Sequence, residues 1–150
     1  MKVSRLLTIA SLIALSACQT LALSENAVKL DVESLESVFS NKTAYAKFDA
    51  GYSKGVTVAE YYAANGKLGY QNLSGTKKGF KAYGIWRIKG EDFCTRYITE
   101  TNDDEYCWAV YEDGSNYIFI ATNDPQNRGK ITQVRIYSIK NGDVEGLLVE

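Results

Sequence analysis

Beyond residue 43, short runs of β-forming residues alternate with turn residues along most of the chain. The runs are rich in Tyr, Ile, Val and Thr, and pairs such as Asn65-Gly66 and Asn141-Gly142 separate them. The regular spacing of these turns is typical of a β-rich domain. The pattern predicts nine strands, at residues 43–49, 56–63, 67–73, 81–89, 92–99, 106–112, 116–122, 130–140 and 144–149.

A helical pattern precedes these strands. Between residues 30 and 39, Leu35, Val38 and Phe39 recur at the spacing that places side chains on one helical face. Asp31 has the residue type preferred at a helix N-cap, and Ser40-Asn41 can end the helix. The sequence therefore predicts one short helix before the strands.

The turns between the predicted strands are too short for parallel neighbours, which need a crossover of about a dozen residues or more. We therefore expect a mainly β fold, an antiparallel meander, with Pro125 in a turn. Nine strands in one flat sheet would leave long unpaired edges. The meander is expected to curl into a small barrel or a two-layer sandwich, with the short N-terminal helix covering one end or edge.

Two of the predicted strands differ in how apolar and polar side chains are distributed between their two faces. Both faces of the strand 106–112 are apolar, which indicates a central strand. The strand 130–140 places Val134 and Ile136 opposite polar neighbours, which indicates that it is half exposed.

The first residues of the chain have the pattern of an export signal. Lys2 and Arg5 supply positive charge ahead of an apolar stretch, residues 6–17. This stretch has twelve residues, and a membrane-spanning helix needs about 20. A permanent membrane span is therefore not expected here.

The signal ends in Leu15-Ser16-Ala17-Cys18, which resembles the lipobox of bacterial lipoproteins. The resemblance covers about the first twenty residues and implies cleavage before Cys18 and acylation of that residue, giving a lasting membrane anchor. Gln19, where inner-membrane members of the family commonly carry Asp, favours the outer membrane, facing the periplasm, over the inner membrane. The expected organisation is a signal peptide at 1–17, a tether at 18–27 and one β-rich domain at 28–150.

The mature chain of 133 residues would carry 15 Lys and Arg against 18 Asp and Glu, a net charge of −3. This length is enough to bury a core of ordinary size. The weak charge gives no electrostatic reason to expect a nucleic-acid partner.

With Cys18 assigned to acylation, the other two cysteines, Cys94 and Cys107, form an even pair. Export would place them in an oxidising compartment, which predicts a disulfide between them. The alternative is a metal or redox thiol site. Twelve residues separate the two cysteines, unlike a redox Cys-x-x-Cys, and the chain has no His to complete a zinc site. We expect neither a metal nor another cofactor.

The lack of His also removes the usual general base of Ser and Cys hydrolases. The Gly-x-Ser-x-Gly motif at residues 51–55 lies between two predicted strands, so it is interpreted as a turn and not as a nucleophile elbow. Asp103-Asp104-Glu105 and Asp113 are interpreted as hairpin tips, without the spacing of a calcium loop. A pair of carboxylates could still hydrolyse a glycosidic bond.

Aromatic residues are dense between Tyr61 and Trp108 and alternate with basic residues. Tyr and Trp on an exposed sheet face can bind a sugar or a protein partner. A candidate binding face therefore comprises Lys81, Tyr83, Trp86, Arg87 and Trp108. In the alternative interpretation both tryptophans fill the core.

The Trp and Cys positions in residues 60–120 also loosely resemble a Gly-x-Trp, Cys, Cys pattern of small exported bacterial proteins of uncharacterised function. This resemblance implies no activity. We expect a non-enzymatic, lipid-anchored envelope protein that binds an envelope protein or a glycan, or has a structural role. The alternatives are an inhibitor of a lysozyme-type hydrolase and a carboxylate-dependent hydrolase.

Overall fold

A computed structural model describes residues 23–98, 104–126 and 132–148, in which eight antiparallel strands close into a barrel. Each strand from β2 to β9 pairs with the next along the chain, and β9 pairs back with β2. The order of the elements is β1 (Val28–Lys29), α1 (Val32–Phe39), β2 (Lys42–Ala50), β3 (Thr57–Tyr62), β4 (Lys67–Asn72), β5 (Lys81–Lys89), β6 (Asp92–Ile98), β7 (Glu105–Asp113), β8 (Asn116–Ala121) and β9 (Gln133–Asn141).

The closed barrel decides between the two architectures that the sequence left open. Eight of the nine predicted strands are confirmed, with ends that coincide with the observed ends or differ from them by at most three residues. Closure pairs both edges of the meander, so the long open edges expected for a flat sheet do not arise.

The predicted helix is confirmed as α1 and covers one end of the barrel. The carboxylate of Asp31 accepts a hydrogen bond from the backbone N–H of Ser34 at 2.8 Å, which caps the helix. Leu35 and Phe39 are fully buried. The Phe39 ring packs edge-on against four aromatic rings at centroid distances of 5.2–5.8 Å: Tyr62, Phe93, Tyr117 and Phe119. We call this the closed end of the barrel.

The ninth predicted strand, 144–149, is wrong over residues 144–148. Both neighbours of β9 are already present in the closed barrel, so no sheet edge is left there for a further strand. The Asp143 carboxylate instead accepts hydrogen bonds from the backbone N–H groups of Leu147 and Leu148, both at 2.8 Å. Leu147 is buried against the outer surface of β4 at Gly69, where a Cβ atom would lie 2.7 Å from the Leu147 Cβ.

The chain before the helix is held to the closed end of the barrel. Ser24 donates from its backbone N–H and its hydroxyl to the Asp113 carboxylate, at 3.1 and 2.5 Å. Val28 and Lys29 form the short strand β1, which pairs with the C-terminal half of β7. The sequence pattern did not predict this strand. Residues 23–27, which belong to the predicted tether, are therefore attached to the barrel wall. The lipobox and Cys18 lie outside the described residues.

The predicted disulfide is confirmed between Cys94 and Cys107. The two residues are directly opposite each other on β6 and β7, with Cα atoms 4.1 Å apart. The strand 106–112 is central, as predicted, since β7 pairs with both β6 and β8. On β9, Val134 and Ile136 are buried, while Tyr137 is exposed.

Within the described residues, no helix has the length and apolar character needed to span a membrane.

Candidate functional site

The five residues of the candidate binding face do not share one surface. Side chains alternate along β5, so Lys81, Tyr83 and Arg87 lie on the outside of the barrel and Trp86 lies inside. On the outer surface Arg87 pairs with Glu105 at 2.6 Å. Trp108 is also an inward-facing residue, and both tryptophans are more than nine-tenths buried.

Trp86 is a core residue near the closed end. Its indole N–H donates to the backbone carbonyl of Ala63 at 2.8 Å, and its ring stacks on Phe93 at a centroid distance of 5.3 Å. The alternative interpretation, in which the tryptophans fill the core, therefore describes Trp86. Trp108 has a second role, because it also borders a cavity.

This cavity, which we call the mouth cavity, opens at the end of the barrel opposite α1. Its volume is about 250 Å³. Seven of the ten described residues that line it are aromatic, and none of these ten is a Lys, Arg, Asp or Glu. The lining residues are Phe48, Tyr52, Ser53, Tyr70, Phe80, Ala82, Tyr97, Tyr106, Trp108 and Thr132.

The lining comes from strands that are distant in sequence and from the turns at the open end. Tyr52 and Ser53 belong to the predicted Gly-x-Ser-x-Gly turn, which indeed joins two strands without a helix. Tyr52 and Phe80 are 75% and 48% exposed and form the outer rim. Tyr70 and Tyr97 pack edge-on below the rim, with ring centroids 5.2 Å apart.

A second, much smaller space of about 20 Å³, the central cavity, lies deeper in the barrel. Phe48, Tyr97 and Trp108 border both cavities and therefore form the floor of the mouth cavity. The central cavity is also lined by Glu60 and by Thr95, whose buried hydroxyl has no hydrogen-bond partner among the described residues.

Glu60 is a buried carboxyl group held by two tyrosines. It points inward from β3, and its two oxygens accept hydrogen bonds from the hydroxyls of Tyr62 and Tyr97. Desolvation raises the pKa of Glu60 above its ordinary value, although both hydrogen bonds act to lower it. Burial and the nearby Glu60 raise the pKa of Tyr62 and of Tyr97 well above the usual range, so both remain neutral phenols.

Tyr70 is the other buried phenol of the mouth cavity. Its hydroxyl donates to the side-chain oxygen of Asn72 at 2.6 Å. Desolvation, followed by the influence of Glu60, raises the pKa of Tyr70 above its ordinary value. The hydroxyl protons of Tyr70 and Tyr97 are thus both donated to protein acceptors, which leaves the lone pairs of their oxygens for other contacts.

The metal-site and hydrolase alternatives each require a particular set of side chains to lie close together. The side chains of Cys94, Glu105 and Cys107 lie close enough together to hold a metal ion, but both thiols are used in the disulfide. A carboxylate-dependent hydrolase needs a second acid facing the first. Among the described residues lining the mouth and central cavities, Glu60 is the single carboxylic acid.

Sequence reasoning missed Glu60 and the mouth cavity. Val58, Glu60 and Tyr62 occupy the inward-facing positions of β3. An acidic residue among apolar and aromatic residues on the same strand face was the signal that could have identified Glu60. Tyr70, Tyr97 and other cavity residues belong to the aromatic-rich segment, but their convergence depends on barrel closure. No family model, curated protein or solved structure matches this chain.

Proposed function

We propose that this protein is a non-enzymatic, lipid-anchored binding protein of the cell envelope, whose barrel holds a small, largely apolar molecule in the mouth cavity. The observation that supports this proposal best is a cavity of about 250 Å³ whose lining is mostly aromatic. Small-molecule sites are typically concave and apolar, with a few polar groups that orient the ligand. An eight-stranded barrel has an interior wide enough for one small ligand.

The size of the mouth cavity favours a ligand of one or two rings or a compact branched molecule. A dry apolar cavity of about 150 Å³ is already large enough to bind benzene. The walls belong to hydrogen-bonded strands, and the disulfide joins β6 to β7. A site on such walls is largely formed before the ligand arrives, which lowers the entropic cost of binding.

The attachment of the N-terminal segment favours an orientation in which the mouth cavity opens away from the bilayer. Ser24 is bonded to Asp113 at the closed end of the barrel. Ser24 is six positions after Cys18 in the sequence, and such a segment spans at most about 20 Å. An acylated Cys18 would therefore keep the closed end near the membrane, and the ligand would enter from the aqueous side.

The ligand proposal predicts that filling the cavity prevents binding. Ala82 is an inward-facing lining residue, so Ala82→Leu places additional carbon atoms in the mouth cavity. We expect 2-naphthol, a neutral two-ring probe, to raise the melting temperature of the unmodified protein, and Ala82→Leu to weaken its binding by about tenfold or more.

Gln71→Leu is the matched control, because Gln71 lies on the outside of β4 next to Lys81 and does not line the mouth cavity. This variant should bind the probe as the unmodified protein does. Equal loss of binding in both variants would contradict a site inside the barrel. No stabilisation of the unmodified protein by 2-naphthol or by other one- and two-ring probes would contradict the function itself.

The anchor proposal predicts that Cys18→Ser abolishes acylation. Without the thiol no acyl chain can be attached, and the lipobox that would direct cleavage before residue 18 is lost with it. We expect fatty-acid labelling of the unmodified protein in a bacterial host and none of the variant, which should keep residues 1–17. Mass spectrometry of the unmodified protein should show an N-terminal acylated Cys18, and an intact residue 1–17 segment would contradict the proposal.

A further inference from the structure

We propose that the mouth cavity selects a compact organic cation, such as a substituted ammonium group, and that Glu60 supplies the compensating negative charge from beneath the cavity floor. This inference rests on the proposed function, because it names the chemical class of the ligand of the same cavity.

The aromatic lining is the first argument. The faces of Tyr, Trp and Phe rings carry negative electrostatic potential, and several rings arranged around a space attract a cation strongly once water is excluded. Seven rings line the mouth cavity, and Tyr97 and Trp108 lie at its floor, away from the exposed rim. A neutral ligand of the same shape would gain the apolar contacts but not this attraction.

The second argument is that the ionisable group buried beneath the cavity, Glu60, is negative when charged. Glu60 lines the central cavity directly beneath the floor residues Phe48, Tyr97 and Trp108. Its described hydrogen-bond partners, Tyr62 and Tyr97, are neutral phenols. None of the described residues that line either cavity is a Lys or Arg. A carboxylate in such a place is costly without a positive charge nearby. A cation in the mouth cavity would supply that charge across one layer of side chains.

The third argument is that two tyrosine hydroxyls of the cavity already donate their protons to the protein. Tyr97 donates its proton to Glu60, and Tyr70 donates its proton to Asn72. Each phenol has a single proton to donate, so these oxygens can accept a hydrogen bond from a ligand but cannot donate one. A substituted ammonium group has no lone pairs and presents N–H or polarised C–H hydrogens to such oxygens, whereas a carboxylate or sulfonate needs donors. At these two tyrosines the hydrogen-bond geometry therefore favours a cation over an anion.

Lys77 places a positive charge near the rim. The ammonium group of Lys77 is 5.9 Å from the centroid of the Phe80 ring. Lys77 is exposed, so solvent and salt screen its charge from the interior. Its repulsion of a bound cation is therefore weaker than the attraction of the buried Glu60, which has no such screening.

The test compares three probes of similar shape: benzyltrimethylammonium, its neutral carbon isostere neopentylbenzene, and benzylsulfonate. For the unmodified protein, titration should give an affinity for the cation about tenfold or more above that for the neutral isostere. The anion should bind more weakly than the neutral isostere. In Glu60→Gln, the ratio of cation to neutral affinity should fall towards one.

Glu36→Gln is the matched control, because it removes the same charge from the exposed face of α1. It should keep the affinity ratio of the unmodified protein. Tight binding of neopentylbenzene with no preference for the cation would overturn this inference and leave the proposed function standing. If none of the three probes binds, both fail.

A measurement on the unmodified protein covers the case in which Glu60→Gln does not fold. Glu60 faces Tyr62 on β3, Tyr97 on β6 and Tyr70 on β4, and all three remain neutral near neutral pH. A bound cation favours the ionised form of Glu60, so cation binding should release a proton. The cation affinity should therefore rise between acidic and neutral pH, while the affinity for neopentylbenzene changes less. A cation affinity that does not change with pH over this range would overturn the role of Glu60.

Discussion

Replacing Phe39 with Ala is expected to lower the free energy of unfolding by about 3–5 kcal/mol, the largest effect among the predicted substitutions. Phe39 is fully buried, and its ring contacts four other rings at the closed end of the barrel. Ala would leave a cavity that strands in a closed barrel cannot collapse to fill, and it would remove the main contact between α1 and the barrel. Chemical denaturation followed by circular dichroism measures the change.

Val32→Ala is the control for the Phe39 prediction, because Val32 lies on the same helix and is 46% exposed. We expect this variant to change the free energy of unfolding by no more than about 0.5 kcal/mol. A cost below about 1 kcal/mol for Phe39→Ala would mean that α1 does not close the end of the barrel in the way described.

Removing the disulfide with Cys94→Ala and Cys107→Ala together is expected to lower the free energy of unfolding by about 3 kcal/mol. The bond joins residues 13 positions apart, and its loss gives the unfolded chain more conformational freedom. For a domain of this size, the melting temperature should fall by roughly 10 °C. The two residues are cross-strand neighbours of β6 and β7, so the strand pairing itself should remain.

Reduction of the unmodified protein provides an independent check of the disulfide prediction. The reduced protein and the double Ala variant should melt at similar temperatures, and adding reductant to the variant should have no further effect. A melting temperature of the unmodified protein that does not respond to complete reduction would contradict a stabilising role for this bond.

The sequence predicted the elements of the fold well because they depend on local signals. The spacing of Leu35, Val38 and Phe39 and the capping residue Asp31 are contained within one short segment. The strands were recognised from β-forming residues between turn residues, such as the Asn65-Gly66 pair between β3 and β4. Antiparallel order followed from the short turns.

The two errors in the strand assignment have a common cause. Residues 144–148 carry a β-type pattern, but the pairing partners they would need are already bonded in the closed barrel, and Asp143 fixes a turn instead. Val28 and Lys29, with almost no pattern of their own, pair with β7 because part of its edge remains available there. Strand formation at both places depends on which edges are free.

The candidate site was only partly predictable. The aromatic residues were recognised as unusual, but the alternation of side chains along β5 separates Trp86 from Tyr83 and Arg87. The side chains that do converge come from five strands and from the turns at the open end. Their proximity and the two tyrosine contacts of Glu60 are properties of the closed barrel and are absent from any single segment.

By itself, the sequence determined the helix, eight of the strands, their antiparallel order and the pairing of Cys94 with Cys107, because each depends on local spacing or on the identity of two residues. The tertiary structure alone decided between a barrel and a sandwich, turned both tryptophans inward, and placed Glu60 beneath an aromatic cavity. Closure joins residues far apart in the chain, and the free energy of such contacts depends on the whole set of strands rather than on any one of them.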